Sequence, residues 1–208
     1  MKIAAAWIVV CSVALLCGCG DDDTNAASSA GTGGSKGAAG SGGNGSAIAS
    51  QTPPQGFGAV EAWLAKGSYK DWHCESAVHE SRSPSPHGFN RICSNDLIAS
   101  KATASGAWGQ GAAAVKELYA SQDDKDPIGF AVYLKTDADS ADGANWYWYE
   151  RVPLDSSVPH DEHGVVADGM GDDGPAKNIC VGCHAAAGSD DAHTPTTGGR
   201  DEVYTPVD

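Results

Sequence analysis

Residues 145–152, with the sequence NWYWYERV, decide the fold class. This stretch is short, rich in aromatic side chains, and bounded by Gly143 and Pro153, as is typical of a β-strand. Three further stretches of strand character lie at residues 87–94, 112–121 and 128–135. Because the four strands follow one another without long helices between them, the sequence predicts an antiparallel sheet.

Three helices are expected in the domain: one before the strands, a brief one between the first two strands, and one after them. Residues 58–66 carry apolar side chains at helical spacing and end before Gly67, a good C-terminal cap. Residues 95–101 and 175–188 each begin with a residue suited to a helix N-terminus. Residues 155–174 are polar and rich in glycine, so we expect a loop there. The predicted fold class is α+β, an antiparallel β-sheet with a short N-terminal helix and a C-terminal helix.

The charge balance excludes one class of partner. The 208 residues include 13 Lys and Arg against 27 Asp and Glu, a formal net charge of -14 at pH 7. Such a protein repels phosphate backbones, so we expect no binding to nucleic acid.

The N-terminal residues 1–18 have the features of a signal peptide, because their uncharged run is too short for a transmembrane helix. The run ends in LCGC at residues 16–19, which resembles a bacterial lipobox with Cys19 as the lipidated residue. Cys17 is the alternative acceptor, and an ordinary signal peptide cut near residues 26–30 is the alternative process. The sequence thus predicts a lipoprotein of the bacterial cell envelope that faces the periplasm.

Gly20 follows the lipobox where inner-membrane lipoproteins carry Asp, which favours the outer membrane, with the lipid anchor as the only membrane contact. Residues 19–52 consist mostly of Gly, Ala, Ser, Asn and Asp, a composition that cannot form a core. We interpret them as a flexible tether. Residues 53–208 contain 14 of the 15 aromatic residues and form the predicted folded domain.

The most specific motif is Cys180-Val181-Gly182-Cys183-His184. Two cysteines three apart lie on one side of a helical turn, where both thiols reach the vinyl groups of one haem and the histidine reaches its iron. Two alternatives are a redox-active dithiol and half of a zinc site. The dithiol would not explain the adjacent histidine, and the zinc site would need a second pair of ligands that this sequence does not supply. The motif predicts one covalent haem c on Cys180 and Cys183, with His184 as the metal ligand. Export agrees with this, because c-type haem is attached outside the cytoplasm.

Two cysteines, Cys74 and Cys93, remain in the predicted domain. In an oxidising compartment they are most simply a disulfide. Two buried free thiols, each acting as a small apolar residue, are the alternative.

A second axial ligand is hard to find in the sequence. Met170 lies in a stretch rich in Gly and Asp, and the histidines other than His184 have the character of surface residues. Those histidines are His73, His79, His87, His160, His163 and His193. We therefore favour an iron whose sixth position is open.

The order of motifs in the domain resembles cytochrome P-460 and its relative cytochrome c′-beta. The matching segments, collinear over about 140 residues, are 69–72 (YKDW), 111–119 with VKEL at 115–118, 129–130, 145–148 (NWYW), the haem motif and 201–205 (DEVYT). Apart from the haem motif each segment is weak alone, and their shared order makes the resemblance specific.

The resemblance implies a single five-coordinate haem with His184 proximal, usually in a homodimer. It also implies that Lys116 is bonded to the haem macrocycle, as in hydroxylamine-oxidising members of the family. The alternation of the strand places Lys116 on the same face as Ala114 and Leu118, which suits a side chain directed into an apolar pocket. A lysine that extends from a strand edge to solvent is the alternative.

Other distal residues follow from the same resemblance. Arg91 lies one residue out of register with the family's distal arginine. Asp139 falls near the position of a proton-accepting carboxylate, with Asp137 or Asp142 as alternatives. Four aromatic residues are expected to line the core and the haem pocket, namely Phe130, Tyr133, Trp146 and Trp148.

Three functions are consistent with these features. The resemblance implies a haem-dependent oxidoreductase that oxidises hydroxylamine or reacts with nitric oxide and passes electrons to an acceptor such as a small cytochrome. A non-catalytic protein that binds nitric oxide needs only an open iron in an apolar pocket. An electron-transfer cytochrome needs a filled sixth position.

Overall fold

The protein is described by a computed structural model that covers residues 52–81, 85–101, 108–188 and 199–207. The predicted signal peptide, Cys19 and the tether up to residue 51 lie outside these described residues, as does His193.

The first helix, α1, spans Phe57–Lys66 and buries Val60 and Leu64. It ends at Gly67, whose φ of 69° is left-handed, a conformation that glycine adopts without steric cost. The helix predicted over residues 58–66 is therefore confirmed. A 3-10 turn over Ser68–Asp71 connects α1 to the sheet.

Seven antiparallel strands form one sheet. They are β1 (His73–Cys74), β2 (His79–Glu80), β3 (Phe89–Ser94), β4 (Ala113–Tyr119), β5 (Gly129–Lys135), β6 (Trp146–Arg151) and β7 (Val165–Met170). The order is β1-β3-β4-β5-β6-β7, and β2 also pairs with β3. The α+β fold class and the four predicted strands, now β3 to β6, are confirmed.

Strand β7 contradicts the loop predicted over residues 155–174. Its sequence includes Asp168 and Gly169, which have low strand propensity. Residues distant in the chain stabilise the strand instead. The Asp168 carboxylate accepts hydrogen bonds from the Tyr147 hydroxyl at 2.6 Å and from the Phe57 backbone N–H at 2.8 Å. These bonds and the pairing with β6 hold residues 165–170 in a strand.

The alternation of side chains divides the sheet into two faces. We call the side covered by α1 the helix face. Its buried residues include Tyr69, Cys93, Val115, Val132, Leu134, Tyr147 and Tyr149. The opposite side is the site face, and its buried residues include Ile92, Ala114, Trp146, Trp148, Ala167 and Cys180.

Short helical segments and the C-terminal residues cover the site face. A π-helix over Ala176–Val181 leads into a helix of three residues, α3 (Gly182–His184), where the sequence predicted one continuous helix over residues 175–188. Val203 and Val207, near the C-terminal end of the described residues, are also buried against the site face. Among the described residues, no helix combines the length and the apolar character that crossing a bilayer requires.

A four-residue helix, α2 (Asp96–Ala99), follows β3. Asn95 occupies its N-cap position but makes no capping bond with its side chain. The Asn95 amide instead donates to the Gly111 carbonyl at 2.8 Å and accepts from the Ala113 N–H at 3.2 Å. The residue therefore ties the start of β4 to the end of β3.

Candidate functional site

Two glycines position the C-x-x-C-H segment against the sheet. A Cβ on Gly143 would lie 2.7 Å from Cγ1 of Val181, and a Cβ on Gly171 would overlap the Gly143 carbonyl oxygen. Gly143 also has a φ of 88°, which side chains rarely permit. The absence of side chains at both positions lets the β5–β6 turn and the end of β7 pack closely on Val181, inside the motif.

His184 is held in one tautomer by the backbone. Its Nδ1 lies 2.6 Å from the carbonyl oxygen of Glu202. A carbonyl oxygen can only accept a hydrogen bond, so Nδ1 carries the proton and Nε2 keeps its lone pair. Metal-ligating histidines are commonly oriented in this way, with the second ring nitrogen donating to a carbonyl or carboxylate. His184 is therefore prepared to bind a metal through Nε2.

Aromatic rings surround His184 and fix its plane. Its ring centroid lies 4.7 Å from that of Trp148 and 5.3 Å from that of Tyr204, both nearly edge to face. Tyr204 also donates its hydroxyl to the Cys183 carbonyl at 2.9 Å. Burial, opposed by the hydrogen bond to Glu202 and assisted by the nearby charges of Lys116 and His87, lowers the pKa of His184 to about 4. At neutral pH the imidazole is uncharged, the form that ligates metals.

Two cavities adjoin the motif, with volumes of about 310 and 220 Å³. Both are bordered by Pro86, His87, Lys116, Cys183 and His184. The larger one is also lined by Cys180, Trp148 and Glu150 and by the apolar residues Leu118, Ile128, Val152, Val158, Val166 and Ile179. The C-x-x-C-H motif and Lys116 thus border the same space.

The floor of the larger cavity is a row of residues across three strands. Lys116 on β4 is paired with Ala131 on β5, which is paired with Glu150 on β6. Neighbouring strands lie about 4.8 Å apart, so the two charged residues are separated by roughly 10 Å across the small alanine. The next row along the sheet contains Ala114, Tyr133 and Trp148. The sequence prediction that Lys116 shares a face with Ala114 is confirmed.

The two thiols of the motif are free in the structure, with Cys180 buried and Cys183 half-buried. Burial, followed by the charge of Glu150 and by Cys183, raises the pKa of Cys180 to about 12. Neither cysteine has a second pair of ligands, since no cluster of three or more His, Cys, Asp or Glu side chains suited to a metal ion occurs in the described part of the chain. A zinc site therefore has no support there.

The residues of this site fit a large, mostly apolar group such as haem. The Trp148 indole N–H is buried without a hydrogen-bond partner among the described residues, beside the cavity that Trp148 lines. The exposed large apolar side chains of the described residues are Ile128, Leu154, Val158, Ile179 and Tyr204. Four of these five border the two cavities, and Leu154 follows Pro153 in the wall of the larger one. A flat apolar group held by Cys180 and Cys183 would cover this surface.

Several residues predicted for the site lie elsewhere. Arg91 is on the helix face, where its Nε donates to Glu117 at 2.7 Å, so the structure does not bring it to the cavities. Phe130 packs in the helix-face core rather than in the pocket, because it alternates with Ala131. Trp146, Trp148 and Tyr133 do lie on the site face, as predicted.

The predicted distal acids are also away from the cavities. Asp139, Asp137 and Asp142 are all exposed in the turn between β5 and β6. The Asp139 carboxylate accepts from the Ala141 N–H at 3.0 Å, a bond within this turn. Met170 packs against the helix-face core, on the other side of the sheet from Cys180.

Cys74 and Cys93 form a disulfide in the structure. The two residues are directly opposed in the β1–β3 pairing, with Cα atoms 4.0 Å apart. The bond links the edge strand β1 to β3 on the helix face of the sheet.

Three residues of the site were not predicted from the sequence. His87 was expected to be a surface residue, and no role was expected for Glu150 or Glu202. His87 and Glu150 line the cavities, while Glu202 supplies the carbonyl that binds His184. Of the three, only Glu150 has a position that the sequence pattern could indicate. It is two residues after Trp148 in β6 and therefore lies on the same face as Trp146 and Trp148.

No protein-family model matches this chain, and no curated protein matches it in sequence.

Proposed function

We propose that this protein carries one covalent haem c and acts as a haem-dependent oxidoreductase on hydroxylamine or nitric oxide. The observation that supports this most strongly is the orientation of His184. Its Nδ1 is bound by the Glu202 carbonyl, its Nε2 is left for a metal, and it shares two cavities with Cys183 and Lys116.

The cysteines of the motif supply the attachment. Each thiol adds its S–H across one vinyl group, so that a C–S bond forms at one carbon and the hydrogen goes to the next, with no net oxidation. The free thiols of Cys180 and Cys183 are the two groups this reaction needs. His184 then provides the proximal nitrogen, and the aromatic rings around it hold its plane.

Hydroxylamine oxidation is the reaction that the resemblance to cytochrome P-460 favours. Removal of two electrons and two protons converts NH₂OH to HNO. The bound haem would supply the redox centre that takes the electrons on to an acceptor protein such as a small cytochrome. Lys116, in the floor of the larger cavity, would modify the electronics of that group and fix its orientation.

A covalent bond between Lys116 and the haem belongs to this proposal. Such a bond replaces one N–H and one C–H by C–N, and releases two electrons and two protons to an oxidant such as a peroxide. The amine of Lys116 faces the cavity side of the sheet, as this reaction requires.

A specific observation favours a second candidate, a protein that binds nitric oxide without turning it over. The larger cavity is walled mainly by aliphatic side chains, which suit a small uncharged gas. Such a protein needs neither the cross-link nor a proton acceptor. The electron-carrier alternative has less support, since the side chain of Met170 is on the other face of the sheet.

We further propose that the protein is a lipoprotein of the bacterial cell envelope, lipidated at Cys19 and tethered by residues 19–52. The mass of the mature N-terminus tests this, because a diacylglycerol on Cys19 adds a defined mass. A free amine at any residue beyond Cys19 would contradict the proposal.

The optical spectrum of the ferrous protein tests the main proposal. A haem that is cross-linked at Lys116 should show a strongly red-shifted Soret band, and Lys116→Ala should return that band to the position of an ordinary high-spin haem c. The same variant should lose most of its hydroxylamine turnover with an artificial electron acceptor.

Lys66→Ala is the matched control, because Lys66 is exposed at the end of α1 on the other face. If Lys116→Ala leaves both the Soret position and the turnover unchanged, the oxidoreductase with a cross-linked haem is excluded. Nitric oxide binding to the ferrous protein would then support the second candidate.

A further inference from the structure

His87 and Glu150 form a pair at the edge of the larger cavity. Nδ1 of His87 lies 3.3 Å from Oε1 of Glu150. Both side chains are largely withdrawn from solvent, with exposed fractions of 13% and 12%. A pair of this kind in a mostly apolar wall differs from a surface ion pair, because water screens it little.

The pair has an orientation that matters for a ligand. In an ion pair with Glu150 the His87 ring carries hydrogen on both nitrogens, so that Nδ1–H faces Glu150 and Nε2–H is left to donate to a group bound in the cavity. His87 borders both cavities, together with Lys116 and His184. It is also close enough to His184 to affect the pKa of that residue. The His87 ring and His184, the proposed proximal ligand, therefore border the same cavities.

The other described histidines do not share these properties. His79 borders the smaller cavity, but its Nε2 faces Glu75 at 2.9 Å and its Nδ1 faces the Glu80 carbonyl at 2.7 Å. The side chains of His73 and His163 are 44% and 54% exposed, and His160 bonds the Asp161 carbonyl within a loop. Among the described histidines other than His184, His87 alone offers a ring nitrogen to the larger cavity.

Glu150 is fixed by the sheet. It lies on β6 two residues after Trp148, on the site face, and it is paired with Ala131 in the row that contains Lys116. It is also near Cys180, whose pKa it raises. Among the described residues, the titratable groups that border a cavity together with His87 include Glu150 from β6, Lys116 from β4, His184 from α3, and also His79, Cys180 and Cys183.

We propose that His87, positioned by Glu150, donates a hydrogen bond to the small nitrogen- or oxygen-containing ligand held in this cavity and so determines how long that ligand is retained. This inference rests on the proposed function, because the ligand is the one that the haem protein would bind. Glu150 is the positioning residue, and His87 touches the ligand.

The test uses the haem-loaded full-length protein with nitric oxide as the probe. The rate of nitric oxide dissociation from the ferrous protein and the N–O stretching frequency are measured for the wild type and for His87→Ala, His87→Gln and Glu150→Gln. Loss of one hydrogen bond should speed dissociation roughly 3- to 10-fold in His87→Ala and shift the stretching frequency. His87→Gln keeps an N–H donor and should restore the wild-type rate to within about 2-fold. Glu150→Gln should fall between the two.

His163→Ala is the matched control, because it removes an exposed histidine that stacks on Phe57 on the helix face. Equal dissociation rates and equal stretching frequencies in the wild type and His87→Ala would overturn the proposal. A low-spin wild type that becomes high-spin in His87→Ala would also overturn it, since His87 would then be an axial ligand. Absence of covalent haem from the wild type would instead show that the proposed function itself has failed.

Discussion

The two faces of the sheet use the same strands in opposite ways. On the helix face, polar groups are paired: the Glu117 carboxylate accepts from Tyr69, Tyr119 and Arg91, each at 2.7 Å. On the site face, the Trp148 indole N–H is buried without a partner among the described residues, and two cavities remain. One face is packed as an all-protein core, and the other leaves cavity space and an unpartnered donor among the described residues.

This difference separates stability from function in the molecule. Successive residues of β4 belong to the two faces. Glu117 accepts hydrogen bonds on the helix face, and its neighbour Lys116 borders the cavities on the site face. Because successive side chains of a strand point to opposite faces, substitutions one residue apart should have unrelated effects.

The largest effect is expected from removing both attachment residues on the site face. Cys180→Ala/Cys183→Ala should leave a chain without haem after acid-acetone extraction, with most of the thermal stability of the domain lost, because the proposed haem would fill much of the cavity space. Absorbance of the extracted protein and its unfolding temperature measure this. Cys74→Ala/Cys93→Ala serves as the control and should keep its covalent haem. Haem that survives extraction in the first variant would require another attachment chemistry.

A large effect on stability alone is expected on the helix face. Glu117→Ala leaves Arg91 and two tyrosine hydroxyls without their acceptor inside the core, and should lower the free energy of unfolding by about 4 kcal/mol. Urea unfolding measures this, and the haem spectrum of the folded protein should stay unchanged. Glu162→Ala, at an 84% exposed side chain, is the control and should change stability little.

The contribution of Glu117 should also depend on pH. Burial tends to raise its pKa, but the hydrogen bonds from Arg91, Tyr69 and Tyr119 hold the pKa below its ordinary value of 4.5. The carboxylate therefore adds stability that is fully present above pH 4.5 and is lost as the pH falls through the lower folded-state pKa. The stability difference between wild type and variant should shrink in that acid range. A difference that stays constant with pH would contradict this account.

The smallest of these effects is expected at the sheet edge. The Cys74–Cys93 disulfide closes a loop of 19 residues, and its removal by Cys74→Ala/Cys93→Ala should cost about 3 kcal/mol in the chain-entropy model. The unfolding free energy in urea is the measurement, and the Soret band should not move because the bond lies on the helix face. Alkylation of both cysteines in the unreduced wild type would show that the bond is absent.

Regular elements of this fold were predictable where the sequence has strong local preferences. The aromatic and β-branched stretch of β6 predicted a strand, and Gly67 marked the end of α1. Strand β7 was not predictable in this way, since its pairing depends on β6 and on the contact of Asp168 with Tyr147 and Phe57. The break of the C-terminal helix into a π-helix and α3 depends on packing over the sheet, which local preferences do not record.

The sequence alone determined the chemistry of the candidate attachment site, because Cys180, Cys183 and His184 are adjacent in the chain and their spacing is local. It also placed Lys116 on the correct face through the period of the strand. Only the tertiary structure decided which residues surround that motif. Strand pairing puts Glu150 in the same row as Lys116, loop packing brings His87 to Glu150, and the returning C-terminal residues supply the Glu202 carbonyl to His184. Such contacts join residues far apart in the chain, so no local pattern could specify them.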